Sequence, residues 1–341
     1  MPGKRPTISD IARAAGVSIG AVSYALNNRP GVSDETRRRI LDIAERLGWA
    51  PSSVARSLTG GQTNAVGLVV DRPARVLGIE PYFMQLISGI QEALSGSPTS
   101  LLLQVTDNTD AELATYRQWS AEHRVDGVLL VDLRIEDPRT ELVQQLGLPA
   151  VVLGEPSDTD NVARVWTDDE VAIVEVVKYL AKLGHRRITR VAGPSEFLHT
   201  RTRSRAFCEA AERLGLDQAH IVTADYSDES GARMTRRALT SDEPPSALVF
   251  DNDVMAVAAL GVTQELGLSV PEDVSLVAWD DSTLCELVRP ALSAVRRPIA
   301  EHGATAIRML TDIIAGETPH DAKTSDPELI PRASTGPAQR H

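Results

Sequence analysis

Thr7-Ile8-Ser9-Asp10-Ile11-Ala12-Arg13-Ala14-Ala15-Gly16-Val17-Ser18 is the stretch that decides the N-terminal architecture. Thr7 is placed to cap a helix, and Asp10 at its third position completes a capping box. Ile8, Ile11, Ala12 and Ala15 give that helix one apolar face, and Gly16 ends it. Val17 enters a tight turn. Ser18 caps a second helix with Val22 and Leu26 on its apolar side. Asn27-Asn28-Arg29-Pro30-Gly31 is a loop by its turn chemistry. Ser33 caps a third helix, acidic in its first turn, with Ile40, Ile43, Ala44 and Leu47 on its core side. Two helices joined by a short turn and closed by a third form a helix-turn-helix unit.

Charge separates this head from the rest of the chain. Residues 1–60 carry nine Lys/Arg against five acids, a net +4, within a chain whose total is -12. A phosphate backbone attracts such a head and repels the acidic body, which orients docking. The first turn of the second helix can enter a major groove, with Ser18 and backbone N–H groups near a phosphate. Ile19, Gly20, Ser23 and Tyr24 are then available to bases or backbone. Residues 48–64 form a joint. Ser53-Val54-Ala55-Arg56-Ser57-Leu58, stopped by Gly60-Gly61, is too short to be a stable helix alone. It is either a plain linker or a segment that orders against DNA or a second copy of itself.

From Ala65 the pattern alternates strand and helix. Strands are expected at Ala65–Val70, Ser100–Val105, Val128–Val131, Ala150–Leu153, Ile188–Ala192, Ile221–Thr223, Ala247–Phe250 and Val274–Ala278. Helices fall between them, and Ile299–Ile314 is a last long one. The count is about twice that of one open parallel sheet. Two similar α/β lobes follow, with the cleft between them as the default pocket.

Several function classes are excluded. No apolar run approaches the roughly 18 residues of a spanning helix. No apolar signal core follows the first residues, so a cytoplasmic protein is expected. Cys208 and Cys285 have no metal-ligand spacing; Cys208 falls on the apolar side of a helix and reads as a core thiol. There is neither a phosphate loop nor a nucleophile elbow, and Asp280-Asp281 has no third ligand spaced to join it. No enzyme, cofactor or metal is expected. Asp253 reads as a helix cap, Asp126-Gly127 as turn geometry and His185 as a surface or helix-end residue.

The run from Thr7 to Ser18, with Val22-Ser23 and Leu26-Asn27, resembles the head of the lactose-repressor (LacI) family of bacterial transcription regulators. Pro51-Ser52, Ala55-Arg56-Ser57-Leu58 and Gly67 resemble its hinge helix and first body strand. Val125-Asp126-Gly127, Gly184-His185-Arg186-Arg187-Ile188, Asn252-Asp253, Val270-Pro271-Glu272-Asp273-Val274-Ser275 and Arg332-Ala333-Ser334-Thr335 resemble its effector-binding body. The resemblance covers roughly residues 6–336. It implies a helix-turn-helix domain at 1–48, a hinge helix and linker at 49–64, and a two-lobed α/β body like periplasmic binding proteins. It places the first lobe at 65–166 with 293–322, the second at 167–292 with 323–336, and a flexible tail at 337–341.

The resemblance further implies a homodimer on a near-palindromic double-stranded operator, with a small molecule between the lobes. DNA contacts fall to Thr7, Ser18, Ile19, Gly20, Ser23, Tyr24 and Asn27 in the head. Ala55, Arg56 and Leu58 follow in the hinge, where Leu58 wedges into the minor groove. Ile19 and Gly20 carry no polar side-chain group, so direct base readout is thin and DNA shape carries more. Effector contacts fall to Tyr82, Phe83, His199, Arg203, Tyr226, Asn252 and Asp280. Phe197-Leu198 precede His199 where many family members are more polar. The set suits a sugar or sugar derivative controlling a repressor. A nucleoside or purine, a partner protein, and an α/β solute-binding module with no DNA role stay open as alternatives.

Overall fold

Local capping sets up the first helices. The Thr7 hydroxyl accepts the Asp10 N–H ahead of α1 (Ile8–Ala15), and the Asp10 carboxylate accepts the Thr7 N–H at 2.9 Å. Gly16 ends α1 at φ 65°, a left-handed geometry that favours glycine. The Ser18 hydroxyl accepts the Ala21 N–H at the start of α2 (Ile19–Leu26). Ser33 does the same for Thr36 at the start of α3 (Asp34–Arg46). Arg37 reaches back from α3 to the Ala25 and Arg29 carbonyls at 3.2 and 2.7 Å, satisfying groups at the C-terminal end of α2. Ile11, Ala15, Val22, Ala25, Ile40 and Ile43 lie in one buried core. Leu47, expected on that core, is instead the exposed C-cap of α3, and Trp49 packs against the core.

The structure, a computed structural model, describes residues 6–26, 29–49, 62–156 and 162–339. It forms two units, Met1–Thr63 and Asn64–His341. Asn27, Ala55, Arg56, Leu58 and most of the expected hinge lie outside the described residues.

The second unit holds two six-stranded sheets. The first is built from β1 (Ala65–Asp71), β2 (Ser100–Thr106), β3 (Gly127–Leu130), β4 (Ala150–Leu153), β5 (Ala163–Trp166) and β11 (Ala322–Lys323). Its order is β11-β5-β4-β3-β1-β2, and every pair is parallel. The second is built from β6 (Arg187–Ala192), β7 (Gln218–Thr223), β8 (Ala247–Phe250), β9 (Ser275–Asp280), β10 (Ser293–Arg296) and β12 (Glu328–Ile330). Its order is β12-β10-β9-β8-β6-β7, parallel except for the antiparallel edge strand β12. The two orders are the same winding used twice. β3 and β8 are buried along their whole length, as strands covered by helices on both faces are.

Four strands, β5, β10, β11 and β12, are not among those expected. β5 and β10 are only four residues long, with Arg164 inside the first and Arg296 ending the second, and β11 and β12 are shorter still. Their pairing corrects the lobe limits. β10 joins β9 and β12, so residues 293–296 belong to the second lobe, and the first resumes only after Arg296. The expected flexible tail is fastened as far as it is described: the Ala338 N–H donates to the Leu183 carbonyl at 2.8 Å.

Three smaller expectations also change. His185 does sit at a helix end, its N–H donating to the Leu180 carbonyl at 3.1 Å, but it is buried rather than on the surface, with Ser246 Oγ at 2.9 Å and the Gly336 carbonyl at 3.1 Å on its two ring nitrogens. Cys208 is exposed, whereas Cys285 is buried. Asn252, one residue before Asp253, caps the helix Asp253–Glu265. Asp126 does act in a turn, accepting the Asn64 N–H at 2.7 Å beside β1.

Candidate functional site

On the head, Val22 and Ala25 lie in the core and Leu26 packs against it, so helical geometry turns Ile19, Gly20 and Tyr24 outward. Ile19 is 56 % exposed and Tyr24 46 %. Thr7, Ser18 and Gly20 are exposed and Ser23 is half-buried. An exposed isoleucine beside a glycine at a helix start presents apolar surface and close backbone approach, with few side-chain donors.

In the body, a cleft opens between the lobes. Strand ends supply it, as the winding predicts. Arg72 follows β1, Asp132 follows β3 and Glu155 follows β4. Across from them, Asp251 follows β8, Asp280 ends β9 and Arg297 follows β10. Tyr82, Trp166, His199, Tyr226 and His302 add rings to the wall.

The charges are tightly paired. The Arg203 guanidinium donates to Asp169 at 2.8 and 2.5 Å and lies 4.6 Å from the Trp279 ring. Arg297 reaches Asp280 at 3.0 Å and Asp169 at 3.3 Å. Burial works to raise Asp169, but Arg203 and Arg297 override it and hold the carboxyl well below its usual range. For Asp280 burial prevails over the same two arginines, and its pKa is raised. His199 bonds the Tyr226 hydroxyl at 2.8 Å. Burial, then Arg203, depress its pKa to about 4, so the ring is neutral near pH 7. His302 bonds Thr324 at 2.9 Å and is depressed to about 4 by burial and then Arg297.

Glu80 carries a testable consequence. Burial pushes its carboxyl up to about 8, against the pull of Arg72 at 3.7 Å. The folded chain keeps a proton that the unfolded chain releases above 4.5. That stabilisation is complete below the unfolded value and is lost as pH rises through about 8. Glu80→Gln, neutral throughout, is expected to gain on the wild type as pH rises from about 5 to 9. Parallel curves of melting temperature against pH would contradict the protonated state.

Of the residues expected to meet an effector, Tyr82, His199, Arg203, Tyr226 and Asp280 line the cleft. Phe83 does not. It is buried in the first-lobe core, because adjacent helical residues point about 100° apart and Tyr82 takes the cleft side. Asn252 does not either. Its side chain accepts the Met255 N–H and donates to the Tyr226 carbonyl, both at 2.9 Å. Gly193 lets Tyr226 pack closely, since a Cβ there would lie 2.1 Å from the phenol ring. Arg72, Glu80, Asp132, Asp169 and Arg297 are cleft residues that the sequence reading misses. The strand-end rule could have found Arg72 and Asp132. Asp169 and Arg297 follow β5 and β10, two of the strands that went unread.

Comparisons with known proteins agree with this geometry. The family model described as bacterial regulatory proteins, lacI family, matches residues 7–52. That of a periplasmic binding protein-like domain matches residues 177–335. The HTH-type transcriptional regulator CelR of Thermobifida fusca is 32 % identical over 319 residues, covering 92 % of this chain and 94 % of that protein. Among solved structures, a transcriptional regulator CelR–cellobiose complex is similar at TM-score 0.74 and 30 % identity, over 97 % of this chain and all of that one. The lac repressor dimer bound to operator and the anti-inducer ONPF is similar at TM-score 0.83 and 25 % identity, over 98 % of this chain and all of that one. A head that caps its own helices, a doubly wound two-lobed body and these full-length likenesses converge: the chain belongs to the LacI family of bacterial regulatory proteins and is a ligand-responsive, DNA-binding transcriptional regulator.

Proposed function

We propose that this regulator is a repressor answering to a small polyhydroxylated ring, a sugar or sugar derivative, held between the lobes. One observation carries the reading: the cleft places the rings of Tyr82, Trp166 and Tyr226 beside paired carboxylates and guanidinium groups. Aromatic faces cover the C–H side of a sugar, and carboxylates accept from its hydroxyls. Cobinding in the similar CelR structure, a cellobiose complex, favours this class. Likeness to a lac repressor dimer on its operator favours a homodimer reading a near-palindrome. In that arrangement Thr7, Ser18, Ile19, Gly20, Ser23 and Tyr24 meet one half-site, and Asn27, Ala55, Arg56 and Leu58 complete the contact.

Calorimetry with neutral mono- and disaccharides tests the effector. At least one is expected to bind the full-length protein. Asp280→Ala is expected to weaken that sugar at least about tenfold, the loss of one charged hydrogen bond, and to leave operator binding intact. Binding of nucleosides with no response to any sugar would replace the reading.

A further inference from the structure

Phe197, on the second lobe, lies against two arginines of the first. The Arg72 guanidinium lies 4.8 Å from its ring centre and that of Arg134 lies 5.5 Å from it. Arg72 also stands 5.1 Å from the Tyr226 ring and 5.7 Å from the Phe83 ring. Asp132 meets its charge at 2.8 Å. Arg72 and Phe197 are almost inaccessible, 6 % and 4 % exposed. Rings around a desolvated cation, with the Asp132 carboxylate at 2.8 Å and Glu80 at 3.7 Å, make a site whose chemistry selects a planar guanidinium. Phe197 and Tyr226 come from the second lobe, whereas Phe83 and Asp132 come from the first. At the same place the lobes exchange backbone bonds: Ile135 N–H to the Glu196 carbonyl at 3.0 Å, and Leu198 N–H to the Leu133 carbonyl at 2.8 Å.

We propose that Arg72 is the built-in ligand of a guanidinium-binding cage shared by the two lobes, and that its seat there holds them together along the Leu133–Ile135 and Glu196–Leu198 contact. The cage is a site for small planar cations that the chain fills with its own side chain. Burial works against the Arg72 charge, and Asp132 followed by Glu80 more than restores it. Arg72 and Tyr226 also line the cleft, so a ligand that engages Tyr226 or Asp132 there loosens the cage. That last link rests on reading the cleft as the effector site; the cage itself does not.

Amide hydrogen exchange of the full-length protein, with no small molecule added, tests the cage through its own reporters. Ile135 and Leu198 N–H groups are protected only while the lobes touch, and Ala247–Phe250 reports the second-lobe core. In Arg72→Ala, Ile135 and Leu198 are expected to exchange about tenfold faster while Ala247–Phe250 holds its rate. Methylguanidinium, far below denaturing concentration, is expected to slow them again in that variant. Urea at the same concentration, and methylguanidinium on the wild type, are expected to do nothing. Phe197→Leu keeps Arg72 and most of the apolar bulk but removes the ring, and is expected to speed the same two amides. Unchanged Ile135 and Leu198 exchange in either variant overturns the proposal. So does faster exchange in Arg72→Ala that methylguanidinium cannot reverse, which would make Arg72 ordinary packing.

Discussion

Arg190→Met is expected to lower the free energy of unfolding by about 3–5 kcal/mol, the cost of orphaning a buried charge. Arg190 and Asp251 are both fully buried, on β6 and just beyond β8. The guanidinium gives Asp251 a forked contact: Nε and Nη2 donate to Oδ1 at 2.9 and 2.7 Å, and Nη2 also reaches Oδ2 at 2.7 Å. Its remaining nitrogen donates to Ser204 Oγ at 2.7 Å. With methionine at position 190, Asp251 loses its guanidinium partner, keeps the Gly193 N–H at 2.9 Å and lies in a medium that disfavours its charge. Urea titration measures the loss. Arg190→Met with Asp251→Leu is expected to recover much of it, because a buried pair replaced as a whole costs far less than one broken. A single-variant cost under about 1 kcal/mol would contradict this account of the pair.

Gly89→Ala is expected to cost at least about 3 kcal/mol, the upper end of ordinary overpacking. The helices Pro81–Leu94 and Ile299–Ile314 pack against one another in the first lobe. They approach so closely that a Cβ on Gly89 would lie 1.9 Å from the Ala300 carbonyl oxygen. Gly303 matches it from the other side, with the Leu86 carbonyl 2.4 Å from its own Cβ position. Backbone cannot rotate away as a side-chain tip can, so the helices must separate and lose contacts along both. Gly261 is the control. It is exposed on the helix Asp253–Glu265, and a Cβ there meets nothing within 4 Å. Gly261→Ala is expected to stabilise by about 0.5–1 kcal/mol through helix propensity. Equal melting shifts for the two substitutions would sink the close-approach argument.

How much of the site was legible depends on the range of the interaction that makes it. The head could be read because Thr7 with Asp10, Ser18 with Ala21 and Ser33 with Thr36 are bonded three residues apart. Such bonds depend on the local chain alone. Long apolar strands such as β1 and β9 stand out by composition. β5 and β10 do not, because a four-residue strand with an arginine in it has no pattern of its own. The partners of that arginine, Glu155 for Arg164 and Asp281 for Arg296, appear only when the chain returns. Phe83 and Asn252 show the reverse error. Both have the right chemistry for a pocket, but one turns to the core and the other spends its amide on a cap.

Sequence alone determined the helix-turn-helix head and the twice-wound α/β body, since caps, turns and hydrophobic period act between neighbours in the chain. Only the tertiary structure decided which charges meet. Arg203 finds Asp169 across 34 positions, and Arg190 finds Asp251 across 61. Two opposite charges attract through space wherever the chain places them. Nothing in their spacing announces the pair before the strand ends converge.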